Sequence, residues 1–293
     1  MSIWIDFLGA EIRYVDTPTF GRVRIAEAGR DNPEALFLMH GIGGHIEAYS
    51  KNVVTLGKHF HVIAFDFVGH GLSEKKTDIE YPPQNYAEQL KELMDVLGIG
   101  KAHISGESLG GMVAAHFAIK YPERTMRVIL NTTGGIPIAS EKGRQDLIDL
   151  ANLTQANVGK PPSFESILGR MRWLIYEGNW DLLTEELVES RLAIYTQPDF
   201  QKSAPLVFAR LNKAKDGDTM PDMVDLERIE AETLLLWTTH NPIHDVAAAE
   251  LALPRLRKGK MYVMRKDCGH WPQYESPDEF DAIVVKYLNT GDV

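Results

Sequence analysis

A chain of 293 residues, 44% of them hydrophobic, is long enough to bury one large core. Its formal net charge of −10 argues against the basic face that nucleic-acid binding requires, although it sets no small-molecule substrate. A single cysteine, Cys268, excludes an internal disulfide and a cysteine-based zinc site, and makes a reducing cytoplasm the expected compartment.

In chain order, residues 1–10 lack a basic stretch and carry Asp6, so they do not read as a secretory signal. Residues 12–15 and 23–28 alternate in polarity and predict a hairpin. Ala35–Met39 is a compact apolar run ending in His40-Gly41, and His61–Phe65 is another, ending at Asp66. Leu90, Leu93, Met94 and Leu97 recur at helical spacing, with Asn85 and Glu88 as a capping pair. A strand from Ala102, a helix after Ser108 and an apolar strand over 127–130 follow. Buried strands alternating with helices predict an α/β fold, its mostly parallel sheet covered on both faces.

From Gly134 the pattern changes. Residues 136–224 carry helical periodicity, Pro161-Pro162 and no clear strand pattern. Strand patterns return at Thr233–Trp237 and 261–264, and a last helix is expected over 277–288. The expected organisation is a core of residues 1–135 and 225–293 with a helical lid, 136–224, over the carboxyl end of the sheet. Ligands of open α/β sheets bind at that end. No apolar run is long enough to span a bilayer, so no membrane partner is expected.

Gly106-Glu107-Ser108-Leu109-Gly110 lies where the Ala102 strand meets a helix of small residues. A sharp turn there needs glycines two residues before and after the serine, and it thrusts Oγ outward at a helix start. An ordinary strand-to-helix turn reads similarly, but the strand before and the helix after favour a nucleophile, Ser108. The N–H of Leu109 then faces a developing oxyanion. His40-Gly41-Ile42-Gly43-Gly44, after the third strand, offers the N–H of Ile42 as a second donor, its glycines permitting close approach. His270, in Cys268-Gly269-His270-Trp271 after the last strand, is the candidate base.

The acid that orients such a histidine is expected after the penultimate strand, where this chain has Asn241. An amide accepts the imidazole N–H but carries no charge; in serine proteases that change lowers kcat roughly 10⁴-fold. Three explanations stand: Asp245 swings in as a surrogate acid, the chemistry demands less of its base, or the position holds an inactivating replacement. The other site sometimes used, after the preceding strand, holds Asn131, which is no carboxylate either.

Together these residues resemble the α/β-hydrolases, and within them the meta-cleavage product hydrolases. The specific points are GESLGG with YPER downstream, NTTGG at 131–135, CGHWPQYE at 268–275, and the lid segment from Thr184 through Arg191 to Gln197-Pro198. The resemblance implies hydrolysis of a carbon–carbon bond in 2-hydroxy-6-oxo-dienoates from aromatic ring fission, with no metal or organic cofactor. It assigns the dienoate carboxylate to Arg191, which falls mid-face among Leu187, Val188, Leu192, Ile194 and Tyr195. A structural ion pair explains a buried arginine equally well. Trp271 matches a tryptophan beside the substrate, and packing explains it too. Gly41 and Glu107 complete the candidate substrate contacts. Glu107 stands where relatives often carry asparagine, and it is also a candidate partner for Arg191. The rival readings are a carboxylesterase or lactonase with the same machinery, a hydrolase-fold binding protein without turnover, and a cofactor-free oxygenase. The partner expected is a small molecule. The sequence leaves the oligomeric state open, although relatives commonly self-associate.

Overall fold

A computed structural model describes residues 2–156, 160–213 and 222–293 of the chain. The strands are β1 Glu11–Thr17, β2 Gly21–Ala28, β3 Ala35–Met39, β4 His61–Phe65, β5 Ala102–Glu107, β6 Thr125–Asn131, β7 Thr233–Trp237 and β8 Gly259–Val263. They form one sheet in the order β1-β2-β4-β3-β5-β6-β7-β8. β1 pairs antiparallel with β2, and β2 with β4; every later neighbour is parallel. The helices are α1 Ile3–Asp6, α2 Ser50–Leu56, α3 Pro83–Val96, α4 Leu109–Lys120, α5 Glu141–Ala156, α6 Phe164–Leu174, α7 Glu185–Tyr195, α8 Pro198–Lys213, α9 Val246–Ala252, α10 Pro272–Glu275 and α11 Pro277–Thr290. No described helix is long and apolar enough to cross a membrane.

β3 is apolar at every position, and β4 and β7 are apolar after their first residue, because both faces are covered. Alternate side chains leave a strand on opposite faces, so one short run feeds two cores. Phe37, Met39, Ile63, Phe65, Leu235 and Trp237 pack into one core with Leu90 and Leu93 of α3 and Val113 and Phe117 of α4. Leu36, Leu38, Val62, Ala64, Leu234 and Leu236 pack into the other with Val53 of α2 and Phe280 and Val284 of α11. Each of the Leu, Ile, Val, Phe and Met side chains contributes roughly 1.5–3 kcal/mol on burial.

Parallel register places the carboxyl ends of the middle strands side by side. Met39 pairs with Gly106, Glu107 with Asn131, and Asn131 with Leu236. The loops after β3, β5, β7 and β8 therefore open at one end of the sheet. Helices α5 to α8 interrupt the sheet between β6 and β7, and no strand occurs among the described residues there. The expected lid, 136–224, includes residues 157–159 and 214–221, which lie outside the described residues.

The expected capping pair of Asn85 and Glu88 is corrected. Helix α3 begins at Pro83 with Pro82 as its cap residue and no side-chain cap. Proline at the first position has the helical φ already set and no N–H to satisfy. Asn85 instead donates to the Glu80 carbonyl at 3.0 Å, and Glu88 accepts from Lys120 and the Tyr121 hydroxyl.

Candidate active site

Ser108 occupies the turn between β5 and α4 with φ 56° and ψ −112°, a region that costs a non-glycine residue about 1–3 kcal/mol. Backbone packing holds it there. Its N–H donates to the Asn131 carbonyl at 3.1 Å, and its carbonyl accepts the Met112 N–H at 3.1 Å. A Cβ on Gly106 would stand 2.1 Å from the Gly110 carbonyl carbon, and one on Gly110 would stand 2.3 Å from the Met39 oxygen. The two glycines are thus what lets α4 turn directly off the strand. Ile42, Ser108 and Leu109 line one cavity. Neither the Ile42 nor the Leu109 N–H is among the backbone donors to described residues, so both are available to an oxygen held there.

His270 lies in the loop after β8. Its N–H donates to Leu174 O at 2.7 Å, and its carbonyl accepts the Thr132 hydroxyl at 3.0 Å. Its Nδ1 is 2.6 Å from Asn241 Oδ1, while Asn241 Nδ2 donates to the His244 carbonyl at 2.5 Å. That second bond fixes the amide, so its oxygen faces the ring and Nδ1 is the protonated nitrogen. Asn241 sits where the acid was expected. Asp245 does not reach the histidine: it caps α9, accepting the Ala248 N–H at 3.2 Å, and the surrogate-acid expectation is corrected. Nearby His244 is a buried neutral imidazole, pushed down to about 4 by burial.

Glu107 is 1% exposed and does not pair with Arg191, contrary to that option. Its Oε1 lies 3.0 Å from His270 Nε2, and its Oε2 accepts the Gly41 N–H at 2.7 Å. A Cβ on Gly41 would stand 2.7 Å from both carboxylate oxygens.

Arg191 is buried on α7, as its position on the apolar face predicts. Its Nε–H donates to His45 Nε2 at 3.3 Å, and its guanidinium lies 5.1 Å from the Trp271 ring centre. No carboxylate among the described residues stands within ion-pair distance of it. Its link to an anion is indirect: His45 Nδ1–H donates to Glu47 at 2.7 Å, and Glu47 is held bidentate by Arg24, which also donates to Asp66. Arg170 of α6 lines the same cavity and rests 5.6 Å from the Trp173 ring centre. Burial pushes its guanidinium down to about 10, and neighbouring Arg191 adds to this.

Three groups that position the site were missed from sequence: Arg170, the Arg24–Glu47–His45 chain, and Glu275. The Glu275 carboxylate accepts N–H bonds from Gly269, Trp271, Tyr176 and Asn179, joining the His270 loop to the helical insert. Burial raises its pKa, with those donors pulling the other way. Its only sequence signal was a carboxylate five residues past His270.

The alpha/beta hydrolase fold family matches residues 34–277, and the chain belongs to that family. A relative from Comamonas testosteroni, named 2-hydroxy-6-oxo-6-phenylhexa-2,4-dienoate hydrolase, is 30% identical over 267 residues, 89% of either chain. Another from that organism, named 2-hydroxy-6-oxononadienedioate/2-hydroxy-6-oxononatrienedioate hydrolase, is 28% identical over 92% of either chain. Among solved structures, the meta-cleavage product hydrolase of Pseudomonas fluorescens IP01 shares the fold, with a TM-score of 0.80 at 24% identity, over 97% of this chain and 100% of that one. The chain is thus an enzyme of the hydrolase fold.

Proposed function

We propose that this protein hydrolyses a carbon–carbon bond in a 2-hydroxy-6-oxo-dienoate-type acid, with Ser108 as nucleophile and His270 as its base. The observation that carries the reading is Arg191: a buried cation facing the Ser108 cavity, whose partners among the described residues are the His45 imidazole and a tryptophan face. A buried charge needs a counter-ion, and a substrate carboxylate supplies one in bidentate geometry. The relatives' named substrates are acids of this kind.

In this reading residues 136–224 act as the lid. The dienol, bound as its dienolate with its carboxylate on Arg191, is protonated on carbon to the ketone. Ser108 Oγ attacks the remote carbonyl while His270 takes its proton, and the N–H groups of Ile42 and Leu109 hold the oxyanion. The carbon leaving group departs as a dienolate and is protonated with the help of His270. Water then releases the acyl group by the same proton transfers in reverse.

The test is the loss of visible absorbance of a 2-hydroxy-6-oxo-dienoate mixed with the protein. We expect bleaching by the wild-type protein and a loss of at least about 10³-fold in Ser108→Ala. Bleaching that survives Ser108→Ala would remove the serine mechanism. A substrate that binds but never bleaches would favour the binding-protein reading, for which Asn241 is the structural argument.

A further inference from the structure

We propose that the carboxylate serving His270 has been transposed: Glu107, at the Nε2 edge of the ring, holds the negative charge that Asn241, at the Nδ1 edge, lacks. This rests on the reading of His270 as the base. Glu107 acts through the histidine and is a positioning residue.

The argument begins with protons. Asn241 Oδ1 can only accept, so Nδ1 carries a hydrogen. A bare Nε2 and a bare carboxylate oxygen are both acceptors and would repel at 3.0 Å. One proton therefore lies between them, and the pair is a proton-loaded unit with no net charge. Ser108 Oγ makes no hydrogen bond to another described residue, so at rest Nε2 belongs to Glu107.

The carboxylate is built into its place. Glu107 is the last residue of β5, fully buried, and its second oxygen is fixed by the Gly41 N–H, where only a glycine leaves room. The other titratable groups facing the pair do not supply its charge balance. His40, after β3, is pushed down to about 4 by burial and accepts the Phe67 N–H on its Nε2. Tyr49 is pushed well above its ordinary value by burial and by Glu107, and donates to the Met39 carbonyl. His244 is neutral, and Arg170 and Arg191 stand on the insert's wall of the cavity. Among the described residues only His270 lies within ion-pair distance of Glu107.

The arrangement orders the proposed steps. Substrate bound as its dienolate takes the resting proton from Nε2 onto carbon, becoming the ketone. Glu107 is left ionised beside a neutral imidazole with a free Nε2 lone pair. Ser108 Oγ–H then gives its proton to Nε2 as Oγ bonds to the carbonyl carbon. The imidazolium so formed stands next to a carboxylate, as it does in triads whose charge lies on the other nitrogen.

The experiment compares wild-type protein, Glu107→Gln, Asn241→Asp and the double variant. The readouts are the titration of the His270 ring by NMR, without substrate, and kcat across pH. Glu107→Gln keeps the shape and an acceptor for Gly41. We expect it to lower the His270 pKa by at least about 1 unit, the change one nearby charge produces, and to lower kcat about 100-fold. Adding Asn241→Asp should raise the pKa again and recover kcat at least tenfold. A merely structural Glu107 would move neither the pKa nor the rescue. A His270 pKa unmoved by Glu107→Gln, or kcat that Asn241→Asp leaves at the Glu107→Gln level, overturns the proposal. A wild-type protein that never bleaches the dienoate refutes the C–C hydrolase reading instead, and the ring titration still decides this one.

Discussion

The sheet and the segment inserted between β6 and β7 bring different chemistry to one cavity: a paired carboxylate and imidazole from one, guanidinium groups from the other. The carboxyl end of the sheet supplies Glu107, Ser108 and His270, while the insert supplies Arg170, Trp173 and Arg191. The two regions are also held differently. Ser108 and Glu107 are fixed by strand register, by backbone hydrogen bonds and by glycines with no room for a methyl group. The insert is held largely through side chains and loops, among them the Tyr195 hydroxyl on the Gly43 carbonyl, the Leu174 carbonyl on the His270 N–H, Glu275 on the Tyr176 N–H, Glu186 on Ser2 and Asp146 on the Ile243 N–H. The difference teaches that the proposed reacting groups depend on main-chain packing, which tolerates little change. The proposed recognition wall is made of side chains, which can be exchanged while the fold persists.

The largest expected effect tests the rigid side. In Gly106→Ala the new methyl meets main chain, the Gly110 carbonyl carbon and oxygen at 2.1 Å, with no flexible side chain to yield. Helix α4 must shift off β5, and overpacking of this kind costs about 3 kcal/mol. The denaturant midpoint should fall accordingly, and any folded protein should lose activity because Ser108 moves with the helix. A change below about 1 kcal/mol would mean that the elbow is not the rigid element described.

What was legible in the sequence follows the same division. β3, β4 and β7 were bounded to the residue, because a parallel strand buried on both faces is an unbroken apolar run. That Ser108 sits at a strand-to-helix turn, and that Asn241 and His270 follow β7 and β8, was legible from the strand patterns before them. Three contacts were not legible. Glu107 meets His270 across 163 positions of chain only after β3, β5 and β8 have been ordered in the sheet. Arg191 reaches His45, and beyond it Glu47 and Arg24, through side chains on separate elements, and no periodicity encodes that. Asp245 read as a spare acid because a carboxylate that caps a helix looks the same in sequence as one that serves a histidine.

A smaller effect probes the exchangeable side. Arg191→Met keeps the length and apolar stem that pack among Leu187, Val188 and Ile194 but removes the guanidinium. Two charge-assisted hydrogen bonds to a carboxylate are worth about 3 kcal/mol, so KM for the dienoate should rise about 100-fold. We expect kcat to change less than about tenfold, since the cation contacts substrate and transition state alike. If kcat fell as far as KM rose, the insert would be shaping the reacting geometry, and the contrast with the sheet would fail.

The smallest effect compares glycine with glycine. Gly169 lies within α6, and a Cβ there would meet nothing within 4 Å, whereas one on Gly106 strikes backbone. Gly169 has no positive φ to preserve, so alanine costs no strain and reduces the freedom of the unfolded chain. Gly169→Ala should therefore stabilise the protein by about 0.5–1 kcal/mol, read as a small rise in Tm with KM and kcat unchanged. A fall in Tm would show that α6 is packed as tightly as the elbow. The same substitution raising stability in the insert and collapsing it in the sheet is the sharpest form of the contrast, because side-chain chemistry is held constant and only the surroundings differ.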